Sequence, residues 1–108
     1  MGKGSMSLAA ATILQAVANG YSFGFDIVDI TGMPGGTVYP ALRRLEEAGY
    51  LTSEWESARV AHAELRPRRK YYEITKAGRQ ALAEAVRRYR LLDQTQAIVK
   101  REPRSSRA

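Results

Sequence analysis

Two stretches of this 108-residue chain carry the side chains with the most chemical capacity. One is GTVYPALRRLEEAGYL, residues 36–51, where Thr37, Tyr39, Arg43 and Arg44 place hydroxyls and guanidiniums within about two helical turns. The other is Arg66-Pro67-Arg68-Arg69-Lys70, four cations among five residues. Neither sets a nucleophile beside a base. Small and hydrogen-bonding residues in the first turn of a helix, with arginines one turn later, suit the base edges and phosphates of a DNA major groove. Clustered cations repel one another and gain nothing from folding alone, so a polyanion is the partner that would favour them. As a solvated helix face and a solvated loop the same residues would need no function.

Catalytic chemistry has little to work with. The chain has one histidine, His62, in a loop by its pattern, and no cysteine. No serine stands beside a base and no glycine-rich loop could cradle a phosphate. The expectation is a non-enzyme with no metal and no cofactor. No apolar run approaches the roughly 20 residues of a membrane span, and no charged-then-apolar leader is present. The chain reads as cytoplasmic, with no membrane partner. Its net charge of +6 is uneven: residues 1–57 carry −3 and residues 58–108 carry +9. The groove-suited helix would therefore work beside a separate basic element.

The elements that must position these residues follow from periodicity. In the 36–51 stretch, Val38, Leu42 and Leu45 share a narrow arc with Ala41 on its edge, which predicts an amphipathic helix. Gly36, Pro40, Arg43 and Glu47 lie opposite, Thr37 and Arg44 flank them, and Ala48-Gly49 is a stop signal. Residues 22–30 predict a second short helix, with Phe23, Ile27 and Ile30 inward and Asp26 and Asp29 outward. The turn Met33-Pro34-Gly35-Gly36 between them makes a helix-turn-helix. Two starts for the second helix stay open: a Thr37 cap, with Pro40 in the first turn, or a start near Pro34, with Pro40 further in and bending the helix.

Residues 7–19 predict a first helix with a serine cap, apolar except for a stripe of Thr12, Gln15 and Asn19. So wide an apolar face calls for cover on two sides, the second from another subunit. Leu51, Ser53 and Trp55 alternate with Thr52, Glu54 and Glu56, and Tyr71 to Ile74 alternate likewise, which predicts a hairpin. Its loop, residues 57–67, is long, and the cations 66–70 open the return strand as a phosphate-contacting wing. Thr75 caps a last helix over residues 76–100, about 37 Å long. Its seam of Gly78, Leu82, Ala85, Tyr89, Leu92, Gln96 and Val99 outruns what one small domain can cover. A homodimer through Leu8, Ala11 and Leu14 of the first helix and Leu82, Ala85, Tyr89 and Leu92 of the last is the expectation. Residues 1–6 read as a flexible lead or vector scar, and 101–108 as a disordered basic tail. The fold class is mainly α with a small β-hairpin: a winged helix-turn-helix over 7–75, then a long C-terminal helix.

The run Gly36-Thr37-Val38-Tyr39-Pro40-Ala41-Leu42 with Arg44-Leu45-Glu46 and Gly49-Tyr50-Leu51, followed by Trp55, Arg66-Pro67-Arg68-Arg69-Lys70-Tyr71-Tyr72, Ile74-Thr75 and Gly78, resembles the PadR family of transcriptional regulators. Gly24-Phe25-Asp26-Ile27 stands where that family usually shows Gly-Tyr-Glu-Ile, and Leu65 where it tends to have glycine. The resemblance implies a winged helix-turn-helix that binds an inverted-repeat site on double-stranded DNA as a homodimer. It further implies a repressor released by a small-molecule effector, in the shorter branch with a single terminal helix. Thr37, Tyr39, Pro40, Arg43, Arg44, Arg66, Arg68, Arg69 and Lys70 are the DNA-binding candidates. The alternative is a winged-helix protein-interaction or RNA-binding module without operator specificity.

Overall fold

A computed structural model of the chain describes residues 6–89. The elements run α1 (Leu8–Ala18), α2 (Gly24–Thr31), α3 (Gly35–Glu47), β1 (Leu51–Trp55), α4 (Ala58–Ala63), β2 (Lys70–Ile74) and α5 (Lys76–Arg88). This is a mainly helical winged helix-turn-helix with one small antiparallel hairpin. The core gathers Ile13, Leu14, Ala16 and Val17 of α1, Ile27 of α2, and Val38, Ala41, Leu42 and Leu45 of α3 around Tyr21, Leu51 and Tyr72. The seam predicted for α3 is the one buried.

α1 is capped by Ser7, whose Oγ accepts the Ala10 N–H at 3.1 Å. It packs against α2, α3, α5 and β2. Much of its wide apolar face is thus covered by its own chain, with Leu8, Ala9 and Ala10 left only partly buried. Leu14 is fully buried in the core and Ala11 is buried against Ala85 of α5. Leu8, Leu82 and Tyr89 are partly buried around that second contact. The polar stripe is not a solvated one either, since Gln15 is buried.

α2 begins two residues later than its sequence pattern suggests. Ser22 and Phe23 are extended: the Ser22 carbonyl accepts the Tyr72 N–H at 2.7 Å, and Phe23 bridges Tyr71. Pairing with the free edge of β2 outcompetes helix extension because it satisfies strand donors that would otherwise be orphaned. Asp26, expected outside, is buried in the first turn. α3 begins at Gly35 with Pro34 as its cap residue, so Pro40 lies inside the helix. There Pro40 has no N–H to offer the Gly36 carbonyl, so one intrahelical hydrogen bond is missing at exposed Gly36.

The hairpin pairs Leu51 with Ile74, Ser53 with Tyr72 and Trp55 with Lys70. β2 therefore starts at Lys70, and Arg66 to Arg69 precede it rather than opening it. The long loop contains α4, which the sequence pattern did not suggest. α5 is bolted to the end of α3: Thr75 Oγ1 donates to the Gly49 carbonyl at 2.7 Å and accepts the Gly78 N–H at 3.0 Å. Within the described residues α5 ends at Arg88, and Tyr89 takes extended angles while its hydroxyl donates to the Met6 carbonyl at 2.7 Å. The stretch to Lys100, with Leu92, lies outside the described residues.

Gly78 explains how α5 comes so close. A Cβ there would run into the Tyr50 carbonyl oxygen and stand 2.8 Å from Ile74 Cγ1. Alanine would gain about 1 kcal/mol of helix propensity, but overpacking against a backbone carbonyl that cannot swing aside costs about 1–3 kcal/mol. Gly78→Ala is expected to lower the urea midpoint, and an equal or higher midpoint would contradict this packing.

Three helices end in the same hydrogen-bonded turn. Gly20, Gly49 and Leu65 each donate to the residue three back, and Tyr21, Tyr50 and Arg66 each donate to the residue five back. The turn needs a left-handed residue, which Gly20 and Gly49 supply at φ 103° and 87°, while Leu65 adopts φ 55°. That conformation costs a non-glycine residue roughly 1–2 kcal/mol. Leu65 is 90% exposed and its side chain gains little in return. Leu65→Gly is expected to raise stability in chemical denaturation, by about 1 kcal/mol less the unfolded-state entropy that glycine adds.

Candidate nucleic-acid interface

Burying Val38, Ala41, Leu42 and Leu45 turns the other side of α3 outward. Thr37, Tyr39, Arg43 and Arg44 are exposed, and Pro40 is half-buried at their margin. Tyr39 is held in place by what its neighbours lack. A Cβ on Gly24 would stand 2.7 Å from Tyr39 Cζ, and one on Gly35 would stand 3.3 Å from Cε2. The ring lies against the first turn of α2 because glycine is there.

The hairpin forms the wing beside α3, and it is tied down on both edges. Ser53 Oγ donates to the Glu46 carboxylate of α3 at 2.6 Å, and Lys70 Nζ sits 3.8 Å from the same carboxylate. On the outer edge Phe23 meets the Tyr71 ring edge-on at 5.6 Å, and the Arg69 guanidinium stacks over Phe23 at 4.0 Å. Tyr72 is buried beneath; burial, then the Glu46 charge, pushes its phenol pKa up, so it stays neutral. Tyr39, Trp55, Arg68, Arg69 and Lys70 line one cleft of about 500 Å³. Tyr39 of α3 and the wing cations therefore share a cleft.

The base of the wing is organised by Glu56, which sequence reasoning did not single out. Its carboxylate accepts two hydrogen bonds from Arg66 at 2.7 and 2.8 Å and the Arg69 N–H at 3.1 Å. Its backbone carbonyl accepts Arg68 Nε at 2.9 Å. Hydrogen bonding from Arg66 first, opposed by burial and aided by the Arg69 N–H, lowers its pKa to about 2. Arg66 is held further into its charged form by the same pair and by Glu64 at 3.0 Å. The charge of Arg66 is thus compensated by two carboxylates, unlike that of Arg68 or Arg69, neither of which forms an ion pair among the described residues. The signal that could have found Glu56 is weak: it is an acid at the end of an alternating run, ten residues before a basic cluster.

Residues 13–84 match the family described as "Transcriptional regulator PadR-like family". No curated protein matches the chain. Among solved structures, a PadR family transcription regulator from Clostridium difficile is similar over 84% of this chain and 96% of its own, at 21% identity and a TM-score of 0.67. A transcriptional regulator from Clostridium thermocellum is similar over 81% and 84%, at 24% identity and a TM-score of 0.64. At those identities the likeness is one of fold. A PadR-like transcription factor from Bacteroides fragilis is similar over 83% and 87%, at 27% identity and a TM-score of 0.62. Among the described residues no cluster of three His, Cys, Asp or Glu could hold a metal ion, and no helix is long and apolar enough to cross a membrane.

Proposed function

Because the chain belongs to the PadR-like family of transcriptional regulators, we propose that it is a sequence-specific double-stranded DNA-binding protein that acts in the cytoplasm as a homodimeric repressor. The observation that carries this reading is that Tyr39 of α3 lines one cleft with Arg68, Arg69 and Lys70 of the wing, while Thr37, Arg43 and Arg44 are exposed on the same helix. α3 is the groove-reading helix, and the wing lies along the phosphates. Arg66 serves the wing from within, through Glu56. Dimerisation uses the partly exposed residues around the α1–α5 contact, Leu8, Leu82 and Tyr89, continued by Leu92. Ala11, Leu14 and Ala85 support that surface from beneath. A small-molecule effector releases the repressor from its operator.

The test is selection of bound fragments from genomic DNA with the purified full chain. The expected product is an inverted repeat whose half-sites are about one helical turn, roughly 34–36 Å, or a multiple apart. Tyr89→Asp should yield monomers in analytical ultracentrifugation and lose the repeat. Recovery of unrelated fragments, with single strands or RNA bound as well as duplex across a salt titration, would favour an RNA-binding or protein-interaction module instead.

A further inference from the structure

Leu65 combines two properties that folding alone does not favour. It is the most exposed large apolar residue among the described residues, at 90%, and it takes the left-handed conformation, φ 55°, that glycine would adopt without strain. Its backbone is nevertheless held firmly. The Leu65 N–H donates to the His62 carbonyl at 3.0 Å, and the next N–H, that of Arg66, donates to the Ala61 carbonyl at 3.1 Å. The Arg66 guanidinium then closes on Glu56 at 2.7 and 2.8 Å and on Glu64 at 3.0 Å. α4 itself buries only Ala61. Its serine cap, its closing turn and the ion pair behind it add little to the core; together they fix one leucine in the long loop of the wing. Strain that the surrounding structure over-determines is a property of residues that meet something.

The surroundings select what that is. Arg66 and Pro67, the next residues in the chain, line the cleft that also contains Phe25, Trp55 and Tyr39 of α3, so the segment leaving Leu65 runs along the α3 side of the hairpin. Arg68 and Arg69 follow, with no ion pair among the described residues. Their charge favours a polyanion over an apolar protein surface. Phosphates offer a leucine nothing. The apolar surface of a duplex lies in the faces of its bases, and a side chain reaches them where a base step is opened from the minor groove. With α3 in the major groove, a wing that crosses the neighbouring backbone comes to the minor groove next.

We propose that Leu65 is a wedge: on duplex DNA it enters the minor groove beside each half-site, partly unstacks one base step and bends the duplex. This rests on the DNA-binding function proposed above and adds a source of specificity that uses no hydrogen bond to a base. Pyrimidine–purine steps open most easily, so the wedge selects such a step outside the sequence that α3 reads. Leucine in place of glycine then trades stability for recognition.

The test uses a duplex recovered by the fragment selection above, labelled at both ends for energy transfer and carrying 2-aminopurine at successive flanking positions. The full wild-type chain should bend it by about 20° or more and raise 2-aminopurine fluorescence at one step beside each half-site. Leu65→Gly should be the more stable protein in urea, yet bind this duplex about tenfold or more weakly, the burial of one leucine being worth at least that factor. It should also lose the bend and the fluorescence. Leu65→Met, which keeps the apolar length, should restore both. Because no charge changes, the salt slope should stay that of the wild type. Replacing the flanking pyrimidine–purine step by a stiff A-tract should weaken the wild type and leave Leu65→Gly indifferent. A variant that is more stable but binds more weakly is not explained by misfolding. Unchanged affinity and bending in Leu65→Gly overturn the wedge and spare the functional reading; the same result with loss of binding to phosphatidylglycerol vesicles would assign Leu65 to a lipid surface instead. A wild-type chain that retains no duplex overturns the functional reading, and the wedge with it.

Discussion

Alanine at both Thr37 and Arg43 will narrow the gap between operator and random duplex, whereas alanine at both Arg68 and Lys70 will weaken the two duplexes by similar factors. The first pair is exposed on α3, one residue in its first turn and one a turn and a half later, on a helix anchored by four buried residues. A rigid helix keeps such side chains in register with base edges. Each well-made base contact is worth about 1–3 kcal/mol of discrimination, so the double substitution should remove most of the preference. Arg68 and Lys70 flank the start of β2 with no such fixed array, and phosphate contacts bring affinity without sequence information. Their loss should flatten the salt dependence by about one unit of slope per contact. Gel-shift titrations at several salt concentrations on both duplexes decide it. Selective loss of operator binding by the wing pair would show that the wing reads sequence.

What the sequence disclosed, it disclosed through period. Val38, Leu42 and Leu45 repeat at helical spacing because α3 buries one face, and Leu51, Ser53 and Trp55 repeat at strand spacing although burial along β1 fades from Leu51 to exposed Trp55. Their partners could be inferred without coordinates. α4 escaped because six residues with only Ala61 buried make no repeat. Its one local sign was Ser57, whose Oγ accepts the Val60 N–H at 3.2 Å. Capping chemistry was legible there, but it was masked by the expectation of a solvated loop.

Other features depended on contacts distant in sequence. Asp26 and Gln15 are buried although both sit where a helical wheel puts polar residues. The aromatic cleft draws Phe25, Tyr39 and Trp55 from positions fourteen and sixteen residues apart. Gly24 and Tyr39 both stood in the family pattern, but their contact did not: only the packing of α2 on α3 shows that the missing Cβ seats a ring. The wing cations were legible as a cluster, not as individuals. Charge density marked Arg66 as equal to Arg68 and Arg69, and nothing local revealed that Glu56 had already claimed it.

That difference makes Arg66 the sharpest test of the wing. If it is a brace, Glu56→Gln and Arg66→Ala remove the same interaction. Each should loosen the segment around α4, seen as faster amide exchange from Val60 to Arg69, and each should weaken duplex binding by misaligning Arg68 and Arg69, which hydrogen-bond Glu56. The double mutant should then be no worse than either single one, the signature of a coupled pair. Arg66→Ala should change the salt slope no more than Glu56→Gln does, where a phosphate contact of its own would lower it by about a further 0.9. The pH dependence carries the same sign. Because the folded-state pKa of Glu56 is lowered from 4.5 to about 2, its contribution is full above the unfolded value and declines as pH falls through this window. The wild-type wing should hold its Trp55 fluorescence from neutrality down to about pH 4.5 and lose it progressively toward about pH 2. Glu56→Gln should show the loosened state already at neutral pH, with no further transition in that range from this group. A salt slope lowered by about one unit more in Arg66→Ala than in Glu56→Gln, with additive losses in the double mutant, would instead return Arg66 to the phosphate-contacting surface.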